Sequence, residues 1–262
     1  QLYGTGRNKV GNSVSTQEMN TYMLQGKYNR IFNRVHELNA VASARMMMRN
    51  YELDISEGYN TASDNYQTLD NTQNEKQTYG GLAEWNYMGF NLRGDYTYNK
   101  LVRTSLGLTV DGTSASGVDA ARWAFFPSVS AGWRVTEEPW FNVDPEWISN
   151  IKVRASYGEL GNSNIGAYSF DEKFSIGTGR WFNGIQPKTT SIPSPIPDNL
   201  TWETSKTLDV GIDLNLFRDR LAISADWYQR QTVDMYIAGT KLPDVYGATS
   251  PKGNFGEMTT SG

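Results

Sequence analysis

The 262-residue sequence has no cysteine and one histidine. No window approaches the roughly 18 consecutive apolar residues of a membrane helix. The first absence excludes disulfides and thiol chemistry. The second excludes a His-based triad or a multi-His metal site, and leaves His36 as an incidental surface or barrel residue. The third excludes crossing a membrane by helices but says nothing against crossing by strands. Excess positive charge is missing too: the net charge of −4 and pI near 5.2 argue against nucleic acid as a partner. There is no signal-peptide pattern and residue 1 is Gln, so the chain reads as a piece whose start has been removed.

Apolar residues are also sparse, at 38% with a mean hydropathy of −0.56, yet 13% of the chain is aromatic, with eight Trp and fifteen Tyr beside 25 Gly. Disordered chains are poor in aromatics. A large β protein whose apolar residues are strung out singly fits better.

The stretch FFPSVSAGWRVTEEPWF (125–141) has that pattern: Val129, Ala131, Trp133 and Val135 fall on one face, Ser128, Ser130, Gly132 and Arg134 on the other. In KTLDVGIDLNL, Leu208, Val210, Ile212, Leu214 and Leu216 oppose Thr207, Asp209, Gly211, Asp213 and Asn215. After FRDR the alternation restarts with Leu221, Ile223, Ala225 and Trp227 against Ala222, Ser224, Asp226 and Tyr228, which predicts a hairpin with long arms over 204–216 and 220–237. IKVRASY (151–157) and VRTSLGLTV (102–110) alternate likewise, and Thr78–Tyr98 is strand-like with a phase change near Met88-Gly89. Residues 31–46 suit a helix by spacing and propensity and a strand by period two; the neighbouring YELDIS favours strand.

Connection lengths carry further information. They are expected to be short at Arg49-Asn50, long over 58–77, short at Asn99-Lys100 and long over 112–124. A medium one follows at 136–149, then a very long one over 159–200, a short one at 217–219 and a long one from about 239. Long and short alternate if Met88-Gly89 is a bulge within one strand. Outer-membrane barrels keep short turns on the periplasmic side and long loops outside, whereas a sandwich has no reason to. Turning Lys152 or Arg154 toward hydrocarbon would cost about 2–4 kcal/mol each at mid-bilayer. Hence Val129, Ala131, Trp133, Leu208, Val210, Ile212, Leu214, Leu221, Ile223 and Trp227 are expected to face lipid, with Trp227 in the outer aromatic girdle. Lys152, Arg154, Asp209, Asp213, Asp226 and Tyr228 are expected to face the lumen.

FFPSVSAGWRVTEEPWF, ISNIKVRASYGELGN (148–162) and DNLTWETSKTLDVGIDLNLFRDRLAISADWYQRQTVDMYI (198–237) together resemble the SusC/RagA-like family of TonB-dependent outer-membrane transporters of Bacteroidetes-type bacteria, with VDGTSASG (110–117) a looser match. The resemblance covers about 95–262 well and 1–94 weakly. It implies an all-β, antiparallel, up-and-down transmembrane barrel, 22-stranded and plugged in the intact protein. About eight strands and the start of a ninth can be counted here, and the plug and TonB box are not among them. It further implies import of a nutrient oligomer, glycan ahead of peptide, beneath a SusD-like surface lipoprotein and driven through TonB. No cofactor is implied. Two rivals stay open: a complete small outer-membrane barrel with a structural or adhesive role, and a soluble carbohydrate-binding β-sandwich.

An enzyme reading finds little support. GTGR occurs at 4–7 and 177–180 without a P-loop lysine. Glu137, Glu138, Asp171 and Glu172 are carboxylates with no visible pairing. The Asn-rich loop 60–75 lacks EF-hand spacing. In the loop 176–199, Arg180, Trp181, Phe182 and Asn183 are candidates for stacking on sugar rings or gripping peptide side chains, or else for packing on a partner lid.

Overall fold

A computed structural model describes residues 8–62, 65, 67–115, 121–163, 165, 174, 176–191, 195–196, 200–243, 245, 247 and 250–262. Nine strands form one antiparallel sheet in the order β1(Lys9–Phe32), β2(His36–Thr61), β3(Thr72–Tyr98), β4(Val102–Thr113), β5(Trp123–Arg134), β6(Ile148–Asn162), β9(Glu203–Leu216), β10(Leu221–Ala238) and β11(Lys252–Ser261). The short strands β7(Ile176–Thr178) and β8(Lys188–Thr190) pair separately. Every neighbour in the large sheet is also a neighbour in sequence, apart from the interposed β7–β8, so the topology is an up-and-down meander. Segment 31–46 is not a helix: it holds the end of β1, a turn over 33–35 and the start of β2.

The connections alternate as expected, with two corrections. Chain reversal occurs at Asn33-Arg34, not at Arg49-Asn50, which lies inside β2. Asn33 and Arg34 have φ of 48° and 62°, Asn99 and Lys100 of 46° and 60°, and the Val35 and Leu101 amides donate back to the Phe32 and Tyr98 carbonyls. Two consecutive positive-φ residues make the turn whose twist matches the flanking strands, and Asn tolerates the first position well. The second correction concerns β3. Its register with β4 runs unbroken through Met88↔Gly112 and Gly89↔Asp111, so no bulge interrupts that pairing, and Tyr87 and Phe90 lie on opposite faces. Tyr87 leans across Gly89 and its hydroxyl donates to Asp111 at 2.5 Å; a Cβ on Gly89 would come within 2.6 Å of that carboxylate.

The chain divides into two compact units. One comprises residues 1–21 and 47–86, the other 22–46 and 87–262. In the first, Asn8 donates to Thr61 Oγ1 at 2.6 Å, Arg49 to Gln17 at 2.9 Å, and Lys9 pairs with Glu57. Glu57 stands about twenty residues beyond the β1–β2 turn, twice the roughly 9–11 that a tilted strand needs to cross a bilayer. Its carboxyl is held below the ordinary range, first by the hydrogen bond from Lys9 and then by one from Tyr79, and both partners are raised in turn. A depressed carboxylate contributes fully above its unfolded pKa and loses that contribution as pH falls through its folded value. Amide exchange across 52–59 is therefore expected to gain an acid-side acceleration that Glu57→Gln lacks. Superimposable pH profiles of protection would contradict it.

In the second unit no second layer of described residues lies over the aliphatic side of the sheet. Leu208, Val210, Ile212, Leu221, Ile223, Val129 and Trp133 are all exposed on it, and no described side chain is fully buried. The register links these residues into rows: Val102–Trp133–Val153–Ile212–Ala225, and Thr104–Ala131–Ala155–Val210–Trp227. Packing is instead densest on the opposite face, at the end with the long connections. There Phe126 meets Trp202 edge-on with centroids 5.8 Å apart. Trp202 donates to the Ala121 carbonyl at 3.0 Å, and Leu200 and Ala115 complete the cluster. Gly161 lies directly beneath the Phe126 ring, and any side chain there would occupy the same space.

Candidate functional site

The polar face is organised by its glycines. Arg154 on β6 pairs with Gly211 on β9, which pairs with Asp226 on β10. A side chain at 211 would overlap Asp226 Oδ1 and lie 2.8 Å from Arg154 Cζ, so the glycine gives the guanidinium a floor on which to cross β9. Crossing it, Arg154 Nη2 donates to Asp226 Oδ2 at 2.7 Å and to Ser224 Oγ at 3.2 Å, and Nε donates to Asp213 Oδ2 at 3.2 Å. Asp209 lies 3.7 Å from Nη1, and Lys152 Nζ lies 3.8 Å from Asp213. Two cations thus face three carboxylates, a local charge of −1. The five side chains come from three strands and are about one-third exposed, so each pair is worth much less than a buried one.

This face continues across the sheet. The row Asp95–Ser105–Ser130–Ser156–Asp209–Tyr228 places the remaining lumen candidate, Tyr228, beside Asp209. At its other end Asp95, only 8% exposed, accepts from Arg93 at 2.9 Å and from Ser105, with Arg103 at 3.8 Å. Sequence inspection missed Asp95, its arginines and Gly211; period two assigns a face but not a register. His36 hydrogen-bonds through Nδ1 to the Tyr96 hydroxyl at 2.7 Å and packs beside Tyr98.

The connection between β6 and β9 carries the aromatic candidates. β7 and β8 close over Phe182–Ile185, where Asn183 and Gly184 have φ of 50° and 78° and Phe182 and Ile185 exchange both backbone hydrogen bonds. Asn183 therefore belongs to the turn, with its amide in solvent. Trp181 and Phe182 are 70% and 74% exposed, and Arg180 is exposed beside them. An isolated hairpin of this size is at best marginally stable in water. Asp171 and Glu172, the first GTGR copy, positions 63, 64 and 66 of the Asn-rich loop, and parts of 110–117 and 192–199 lie outside the described residues. Among the described residues no group of three or more His, Asp or Glu side chains could hold a metal ion.

A single-layer antiparallel meander, aliphatic on one face and charged on the other, with its long connections at one end, is the construction of an outer-membrane β-barrel wall. The chain belongs to the TonB dependent receptor-like, beta-barrel family, whose model matches residues 2–262. It is 29% identical over 265 residues to TonB-dependent receptor P26 of Formosa agariphila, covering 99% of this chain and 26% of that receptor. It is 30% identical over 155 residues to TonB-dependent receptor SusC of Bacteroides thetaiotaomicron, covering 57% of this chain and 15% of SusC. Among solved structures it superposes on the RagAB peptide transporter with a TM-score of 0.74 at 24% identity, over 98% of this chain and 28% of that one. The chain thus spans about a quarter of the length of the receptor P26. Such barrels reside in the outer membrane.

Proposed function

We propose that this chain forms a sector of the wall of an importer that takes up a nutrient oligomer across the outer membrane, coupled to TonB and served by a SusD-like surface lipoprotein. The carrying observation is the two-faced single-layer sheet of a TonB-dependent receptor barrel. On this reading Leu208, Val210, Ile212 and the residues in register with them meet acyl chains, and the Arg154 cluster meets the interior. The test is growth of a gene-deletion strain and its complement on single purified polysaccharides and on a tryptic peptide pool, with and without a protonophore. A deletion phenotype on one class, abolished energetically by the protonophore, is expected; wild-type growth of the deletion on all of them would end the proposal.

Glycan is favoured over peptide because Trp181 and Phe182 stand exposed beside Arg180 and the Asn183 amide, a set suited to stacking on sugar rings. Trp181→Ala with Phe182→Ala is expected to weaken oligosaccharide capture by cells on the order of tenfold, with barrel assembly unchanged. Unaltered capture would remove these residues from the site.

A further inference from the structure

The aliphatic face has a hollow that the described residues do not fill. On β2, Ala40, Ala42 and Ala44 follow one another on this face; Ala42 and Ala44, between the taller Leu24 of β1 and Phe90 and Leu92 of β3, floor an open trough of about 500 Å³. A second hollow of about 550 Å³ runs on from it past Ala40 and Gly94, sharing Leu92 and Leu108. Gly26 and Gly94 border these hollows, and a Cβ on either would meet nothing within 4 Å. A glycine inside a strand weakens it, and often marks a place where a ligand approaches the backbone. Here no atom of the described residues uses the space. From Ala40 to Ala44 the two hollows together run about 13 Å along the strand, at about 3.3 Å per residue.

The turn end of the same face is polar and cationic. Arg30 lies over the Phe32 ring at 4.8 Å, exposed, and His36, Tyr96 and Tyr98 form an aromatic group one strand pair away. Arg34 and Lys100 occupy the two adjoining turns, which the Asn99 amide ties together through the Val35 carbonyl at 2.6 Å. No Asp or Glu alternates onto this face over residues 22–32, 36–46 or 88–98. Arg30 is four residues from Gly26 along β1, again about 13 Å, close to the sum of a headgroup layer of roughly 5–7 Å and half of a hydrocarbon leaflet of about 15 Å.

We infer that this surface holds one anionic phospholipid of the periplasmic leaflet, its phosphate at Arg30 and one acyl chain along the alanine trough. The inference rests on the assignment of the aliphatic face to lipid. A charge-assisted contact is worth about a tenfold change in affinity. The test is native mass spectrometry of the whole transporter from its own outer membrane, delipidated in mild detergent and titrated with dioleoyl phosphatidylglycerol or dioleoyl phosphatidylcholine. Wild type is expected to bind one phosphatidylglycerol about tenfold more tightly than phosphatidylcholine. Arg30→Gln should abolish that preference, and Ala42→Leu should weaken both lipids; Gly26→Leu fills the same space if the first filling variant assembles poorly. Equal binding of both lipids to wild type, or variants indistinguishable from it, overturns the site while leaving the lipid face intact. Absence of any retained phospholipid would count instead against the face assignment. Dimerisation that Ala42→Leu disrupts without changing lipid binding would assign the trough to a second copy and overturn the proposal.

Discussion

Ala131→Arg is expected to cost the assembled barrel about 2–4 kcal/mol, while Ser130→Arg one position away costs less than about 1 kcal/mol. Ala131 sits in the middle of the row Thr104–Ala131–Ala155–Val210–Trp227, with exposed Val129 and Trp133 on either side of it along β5. On the lipid reading an arginine there has no carboxylate within its row and must leave its hydration shell or reach for the interface. Ser130 belongs to the row that contains Asp95 and Asp209, so on the same reading an arginine there gains acidic neighbours in a wet interior. Backbone and strand are the same for both, which isolates the face as the variable. Refolding the full-length protein into phospholipid vesicles under a urea titration, read by heat-modifiable gel mobility, measures the difference. A gap of 2–4 kcal/mol lowers the folded-to-unfolded ratio by on the order of a hundredfold; equal midpoints would mean that hydrocarbon does not solvate the Ala131 side.

The parts of the fold legible in sequence are those where one face meets a uniform medium. Over β9 and β10 alternation is unbroken and the turn is short, and the observed strands fall within a residue or so of the expected arms. β1 was illegible because Lys9–Phe32 carries scattered Met, Tyr and Val with neither face continuous. A strand reaching far past the bilayer needs no greasy side, so periodicity has nothing to report there. The β1–β2 reversal was misplaced because apolar spacing runs straight through Ile31–Met46. Its chemical signal, an Asn followed by a basic residue, recurs at Asn99-Lys100, and at that second site it lies between two clear strands. Asn183-Gly184 is an ordinary hairpin signal that went unread inside a Pro- and Gly-rich loop. For the polar face, composition supplied the residues but only the register joins Arg154 to three aspartates on two other strands.

That convergence yields the second large effect. Arg154→Met leaves Asp209, Asp213 and Asp226 with only Lys152 for compensation, at 3.8 Å from Asp213. Breaking a buried pair is strongly destabilising; these side chains are about one-third exposed, so a smaller loss is expected, read as a lowered midpoint in the same urea titration, and an unchanged midpoint would remove the cluster from the stability of the wall. Gly211→Val is expected to do the same by another route, since its side chain takes the floor on which the guanidinium crosses to Asp226. If the glycine acts through the arginine, the double variant should be only slightly less stable than the worse single one. Simple addition of the two losses would mean that Gly211 matters for its own backbone, and that the arginine reaches Asp226 whether or not the floor is clear.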